Sequence, residues 1–343
     1  MKALVTGASG FLGSHIVDEC LRAGDEVRVL VRPSSDLSYL RTLPGIELAT
    51  GDLTDEGSLR EATSGVDVVY HSGARVADYG SRAQFWDANV VGTDRLLRAA
   101  RRSGVGRFVF VSSPSALMDG ADQLDIDESV PYPARYLNLY SETKAVAEQL
   151  VLAADKPGFV TCAVRPRGVW GPRDRFGFMP RLIAKMRAGT LPDLSGGKTV
   201  YASLCYCTNA ARACLAAAGS DRVGGNAYFV ADAERSDVWA LLAEVAARFG
   251  GQPPTRRVSP LVRDALVSAV ELAWRVPYVA HRYSPPLSRY SVALLTQSGT
   301  YDTSAAERDF GYRPAVDQES GFARLERWIE EIGGVDEYVK AVR

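Results

Sequence analysis

Val5-Thr6-Gly7-Ala8-Ser9-Gly10-Phe11-Leu12-Gly13 stands almost at the start of the chain and sets the reading of everything after it. An apolar stretch, Lys2 to Thr6, runs into three glycines spaced by three, and an amphipathic helix through Ile16, Val17 and Leu21 follows, ending at Gly24. Strand, glycine turn and helix in that order form an anion cradle. A pyrophosphate needs backbone to approach it closely, glycine gives the clearance and the freedom in φ, and the free N–H groups of the helix start point at the charge. The motif therefore predicts a dinucleotide site, because the strand-to-helix context such a glycine triplet requires is present.

Working outward, 343 residues at 46% hydrophobic composition suffice for a large core. A net charge of −1 argues against a nucleic-acid partner, which requires a concentrated basic surface. His15, His71 and His281 are far apart, and the five cysteines contain no CxxC pair, so no metal site is expected. Cys205-Tyr206-Cys207 reads as small apolar filler in an alanine-rich stretch rather than as a metal clip or a strained disulfide. Residues 1 to 5 are too short an apolar run for a signal peptide, and no run reaches the roughly 18 apolar residues of a membrane span. The expectation is a cytoplasmic protein in a reducing compartment.

From residue 2 to about 165, strand-like segments (Lys2–Thr6, Glu26–Val31, Ile46–Ala49, Asp67–His71, Phe108–Ser112, Val160–Val164) alternate with helical ones (Ser58–Thr63, Gln84–Arg102, Tyr140–Ala153). This alternation predicts an α/β fold, a doubly wound parallel sheet of six strands. After Trp170-Gly171-Pro172 the regularity breaks into helices near Met179–Ala188, Asp237–Phe249, Pro260–Trp274 and Glu319–Ile332, separated by Gly- and Pro-rich loops. We expect residues 1–171 to bind the dinucleotide and 172–343 to form mainly a smaller substrate cap, with segments returning to the sheet.

Tyr140-Ser141-Glu142-Thr143-Lys144 opens a helix, which places Tyr140 and Lys144 one turn apart on one face. A free phenol with a pKa near 10 is a poor acid at neutral pH. A lysine ammonium about 4 Å away contributes roughly 4 kcal/mol at an effective dielectric near 20, enough to lower it by about 3 units. Any helix can carry such a pair on its solvated face. Here, however, the strand Phe108–Val111 ends in Ser112-Ser113 at the carboxyl edge, where open α/β sheets place ligands.

With these residues in view, the chain resembles the extended short-chain dehydrogenase/reductase family over nearly its whole length. The motif Thr6-Gly7-x-x-Gly10-x-x-Gly13, with Ser9, Phe11 and Leu12 inside it, matches the family's dinucleotide turn. The resemblance implies Tyr140, Lys144 and a serine, Ser113 before Ser112, as catalytic groups, and Asn89 as the residue completing a tetrad through its backbone. It also implies Asp52-Leu53 beside the adenine, Ser72-Gly73-Ala74 under the cofactor, and Arg165-Pro166 with Gly168-Val169 along the nicotinamide. Ser112-Ser113-Pro114-Ser115, Pro131-Tyr132-Pro133, Lys144 to Glu148 and Arg165 to Pro172 are similar to the 3β-hydroxysteroid dehydrogenase branch. That last segment is also similar to bacterial 2-alkyl-3-oxoalkanoate reductases and sterol-4α-carboxylate 3-dehydrogenases. A homodimer through Gln84–Arg102 and Tyr140–Ala153 is a further family expectation.

An acid at the end of the second strand would bind the ribose hydroxyls of NAD; here Val31 stands in that place and Arg32-Pro33-Ser34-Ser35 follows. Arg32 offers a forked contact to a 2′-phosphate, with Ser34 or Ser35 as added donors, so the expected cofactor is NADPH/NADP+. Nucleotide-sugar enzymes of the family have asparagine where this chain has Gly168, which weighs against a sugar-nucleotide epimerase or dehydratase. A non-catalytic NADP-binding redox sensor is the other alternative. Candidate contacts to a small ketone or alcohol are Ser115, Trp170, Arg173, Phe176 and Phe178, with Arg175, Tyr201 and Tyr206 behind them. Within Pro260–Trp274, Leu261, Ala265, Leu266, Ala269 and Ala273 make one apolar face opposite Asp264, Ser268, Glu271 and Arg275. That face reads as core-facing, with a lid, a peripheral membrane contact or a subunit contact as the alternatives.

Overall fold

The computed structural model describes residues 1–77, 80–274, 285 and 287–342; His281 and Arg275 lie outside the described residues. Seven parallel strands form its centre: β1 (Lys2–Thr6), β2 (Glu26–Val31), β3 (Ile46–Thr50), β4 (Val68–His71), β5 (Arg107–Val111), β7 (Val160–Pro166) and β11 (Asn226–Val230). Their order is β11-β7-β5-β4-β1-β2-β3, so the strand sequence reverses between β1 and β4. A crevice opens at such a reversal, outside the carboxyl ends of the strands.

Period-two alternation sorts the apolar residues of the sheet into two layers. On one face Ala3 and Val5 pack with Ile16 and Val17 of α1 (Phe11–Arg22) and with Ala210 and Cys214 of α7 (Cys207–Ala218). On the other, Leu4 meets Leu59 of α2 (Glu56–Thr63), Leu96 and Leu97 of α4 (Gly92–Arg102) and Val151 of α5 (Leu139–Ala153). Cys205 and Cys207 are fully buried at the head of the alanine-rich α7, where small side chains let the helix lie close.

Three features differ from the sequence expectation. The sheet has a seventh strand, β11, from the half whose regularity is broken; it pairs with β7 from Asn226↔Cys162 to Val230↔Pro166. The expected helix Gln84–Arg102 starts earlier as α3 (Arg82–Trp86), capped by Ser81 and Gln84, and passes through a π-helical segment, Asp87–Val91, into α4. In α9 (Pro260–Ala273) the apolar face points outward: Leu261 and Leu266 are 85% and 52% exposed, and Val267 is the buried residue.

The cap region has its own core, where Trp170, Met179, Ile183, Leu242, Val245 and Phe322 cluster. It also has a second sheet, ordered β12-β9-β13-β6, made of β12 (Arg235–Asp237), β9 (Tyr201–Ser203), β13 (Gly299–Tyr301) and β6 (Gln123–Ile126). Among the described residues, no helix is long and apolar enough to cross a membrane.

Candidate active site

A cleft of about 2790 Å³ runs from the glycine turn at the carboxyl end of β1 out to the cap helices. The turn owes its shape to glycine in a specific way. Gly7 sits at φ +70°, and a Cβ on it would come within 2.7 Å of the Gly73 amide nitrogen; a Cβ on Gly13 would run into the Gly7 carbonyl oxygen. Gly10, the residue before α1, caps that helix with no side-chain hydrogen bond, and its first turn carries no acid. The first amides of α1 thus lie on the cleft wall with no side-chain acceptor, an arrangement that fits the pyrophosphate of a dinucleotide.

The cleft gathers most of the residues the sequence singles out. Its wall includes the whole turn from Thr6 to Gly13, then Arg32, Ser35, Asp52, Leu53 and Ser72 to Ala74, and then Ser112, Ser113, Ser115, Tyr140, Lys144, Pro166, Gly168 and Val169. Phe176 and Phe178 line its outer part. Ser34 is exposed and off the wall, and Asn89 is buried behind it.

At the carboxyl end of β5 the serines form a chain of hydroxyls. Ser115 donates to the Ser113 oxygen at 2.9 Å, and its amide also bonds that oxygen at 3.2 Å. The Ser113 hydroxyl also stands near enough to the Tyr140 phenol to favour its ionised form. The Ser112 hydroxyl is buried with no hydrogen-bond partner among the described residues. Lys144, 3% exposed, sends its ammonium to the Val111 carbonyl and over the Phe110 ring, 3.8 Å from its centre. Burial dominates both titrations: the phenol is pushed up to about 12, with the Ser113 hydroxyl pulling it back, and the amine is pushed down to about 7, with Glu148 pulling it back. This corrects the expectation that Lys144 holds the phenol low. The amine faces a backbone carbonyl and an aromatic ring, and the loss of water outweighs its field.

Behind this group lies a buried relay. Thr93 donates to the Asn89 carbonyl at 2.6 Å, so the Thr93 oxygen accepts from His71 Nε2 at 2.9 Å. His71 Nδ1 must then accept, and the Thr6 hydroxyl donates to it at 2.6 Å while receiving the Gly73 amide at 3.2 Å. His71 is fully buried and its pKa lies near 3, held down by burial and then by Lys144, so it remains neutral. The side chain of Asn89 clamps the Arg75 amide (2.7 Å), the Arg75 carbonyl (3.2 Å) and the Thr143 hydroxyl (3.0 Å), which ties the π segment to α5. Sequence reasoning did not assign His71 a role; its place at the end of β4, opposite Thr6 in the register, was the available signal.

Three of the expected contacts are engaged elsewhere. Arg165 turns away from the cleft and bonds Glu148 twice, at 2.9 and 2.6 Å; Glu148 also accepts from Tyr132 at 2.6 Å. Trp170 is 1% exposed, wedged against Tyr206 and Phe322, with its indole N–H on Asp232. Arg173 lines the cleft, but it pairs with Asp18 at 2.6 Å and lies over the Tyr39 ring. Of the aromatics in the cap, Tyr206 is core and Tyr201 lies outside the cleft wall.

A doubly wound sheet with serine, tyrosine and lysine at its carboxyl edge and a dinucleotide turn beside them defines an oxidoreductase of the extended short-chain dehydrogenase/reductase class, acting on hydroxyl and keto groups. Within it, the chain belongs to the 3-beta hydroxysteroid dehydrogenase/isomerase family, whose profile it matches over residues 4–261. It is 35% identical to the 2-alkyl-3-oxoalkanoate reductase of Stenotrophomonas maltophilia, across 95% of this chain and 98% of that one. It is 32% identical to the 3-beta-hydroxysteroid dehydrogenase of Mycolicibacterium neoaurum, across 94% and 89% of the two chains. Among solved structures, MoeE5 in complex with UDP-glucose and NAD superposes with a TM-score of 0.72 at 25% identity, covering 96% of this chain and 99% of that one.

Proposed function

We propose that the protein is an NADPH-dependent ketoreductase, reversible as an alcohol dehydrogenase, for a largely apolar carbonyl compound such as a β-keto acid or a steroid- or polyketide-like ketone. The observation that carries this reading is the grouping of the Ser115–Ser113 hydroxyl pair with Tyr140 on the wall of a cleft that begins at the uncapped start of α1. A bound coenzyme supplies the hydride. Tyr140 gives its proton to the carbonyl oxygen as that oxygen gains charge. Ser113, backed by Ser115, donates a hydrogen bond to the same oxygen, the point at which electrostatic stabilisation matters most. Lys144, one turn from Tyr140, would hold the ribose of the coenzyme, and Asn89 holds the α3–α4 turn against α5 so that the group keeps its spacing.

Arg32 and Ser35, on the adenosine side of the cleft, support the choice of NADPH, with Val31 where an acid would select NAD. Residues 1–171 hold the coenzyme in this reading, 172–343 mainly form the cap, and the chain works as a homodimer. The apolar lining contributed by Phe178, Leu182, Leu241 and Leu295 supports an apolar substrate.

Two measurements test the assignment. Tyr140→Phe should abolish turnover of a ketone panel while leaving coenzyme affinity nearly intact; a variant with more than a tenth of the parent rate refutes the acid role. Arg32→Asp should reverse the preference for NADPH over NADH, and an unchanged ratio of kcat/KM removes Arg32 from the site. An absorbance spectrum of the purified protein showing tightly held NAD would favour an epimerase instead.

A further inference from the structure

We infer that Arg167 is the residue by which the active site recognises a carboxylate on its substrate, close to the carbonyl that is reduced. This rests on the ketoreductase reading and selects, among the compounds named there, those that carry a carboxylate.

Arg167 lies on the cleft wall directly after Pro166 and before Gly168, and it is 6% exposed. Its guanidinium donates to the Gly299 carbonyl at 2.5 Å and stands over the Tyr301 ring, and it pairs with no carboxylate among the described residues. The contrast with Arg165, two residues earlier, is direct. That equally buried cation is neutralised by two hydrogen bonds to Glu148. A buried guanidinium whose described partners are a neutral carbonyl and the Tyr301 side chain is costly to hold without a counter-charge, and an anion entering the cleft relieves that cost.

The seat is built for the guanidinium. A Cβ on Gly299 would occupy the position of the Arg167 Nη1 atom, so glycine in β13 is what lets the side chain lie there. Most other cations on the wall are matched, stacked on a ring or peripheral: Arg75 lies over the Phe85 ring and Arg32 is exposed. Arg173 is paired with Asp18 and Arg263 with Asp264, while Arg175, Arg181 and Lys185 are exposed at the rim. Among the described cations of the wall, Arg167 and Lys144 join deep burial to the lack of a carboxylate partner, and of the two Arg167 is the one with no part in the proposed proton and coenzyme chemistry. Pro166, Arg167 and Gly168 line the same cleft as Ser113 and Tyr140, so an anion held by Arg167 shares the site with the reacting carbonyl, as in a 3-oxo acid.

The test compares 3-oxodecanoate with its methyl ester as substrates, with NADPH. The parent enzyme should favour the acid by about 10- to 100-fold in kcat/KM, the range expected of a charge-assisted pair. In Arg167→Gln the acid-to-ester ratio should fall toward one, mainly through KM, and Arg167→Lys should recover part of it. Equal use of acid and ester by the parent enzyme overturns the inference whether or not any variant folds, as does an unchanged ratio in Arg167→Gln. If neither compound is reduced with either coenzyme, the ketoreductase reading is what fails. Arg167 is then judged by calorimetric binding of decanoate against decanol in the presence of NADPH: a preference for decanoate that Arg167→Gln loses supports it, and equal affinities overturn it.

Discussion

Glu148 illustrates how much of this site depends on one buried charge. It is fully buried, closes the pair with Arg165, receives the Tyr132 hydroxyl and pulls the Lys144 amine upward from one turn away. Removing one member of such a pair leaves the other charge uncompensated, so Glu148→Gln should cost about 3–5 kcal/mol in urea unfolding. Replacing both partners, Glu148→Gln with Arg165→Met, should recover much of that. His15 and His71 behave oppositely to a surface histidine: burial holds both near 3, whereas in an unfolded chain they titrate near 6.5. Between those values the unfolded chain binds the extra protons, so stability is complete above about pH 6.5 and declines as pH falls. Two such groups imply a loss of about 4 kcal/mol between about pH 7 and pH 5, and His71→Phe should remove half of that slope. Tyr140 and Lys144 were legible in the sequence because helical spacing alone places them on one face. The Glu148–Arg165 pair was not, because seventeen residues and a helix-to-strand crossover separate its members and no local pattern links them.

The π-helical segment Asp87–Val91 is the element on which the site turns. It interrupts an otherwise continuous helix where Asn89 must reach both Arg75 and Thr143, and one extra residue in the turn rotates that side chain inward. Asn89→Ala should therefore leave helix content nearly unchanged while lowering kcat more than it raises KM; circular dichroism and steady-state kinetics distinguish this from simple unfolding. The glycine turn and the serine pair were readable as motifs at strand ends. The π segment was not, because hydrophobic periodicity across Gln84–Arg102 is blind to one inserted residue. For α9 the apolar face was read correctly but its direction was not: periodicity identifies a face, and only the packing of Val267 against Leu194 and Val292 fixes which way it points.

At the scale of the molecule, β11 matters most. The chain leaves the sheet after β7, builds β8 (Val169–Trp170), β9 and α7, and returns as β11 to pair along five residues of β7. The first part of the cap, Trp170 included, is therefore bracketed by two neighbouring strands of one sheet. Its core tryptophan and the sheet should lose structure together, so tryptophan fluorescence and far-ultraviolet circular dichroism should give coincident urea transitions. The sequence pointed to an α/β fold with segments of the second half returning to the sheet, but it left their position open. Parallel pairing between strands about sixty residues apart has no local signature.

The interlocking of Gly7, Gly13 and Gly73 has a bearing on ancestry. A Cβ on Gly7 or Gly13 would press into the polypeptide's own backbone at under 3 Å, whereas one on Gly10 would meet only the Gly7 carbonyl oxygen, at 3.1 Å. A descendant that had abandoned its coenzyme would still be obliged to keep Gly7 and Gly13 in order to fold. Drift at Gly10, with both of its neighbours intact, would be the mark of such a loss.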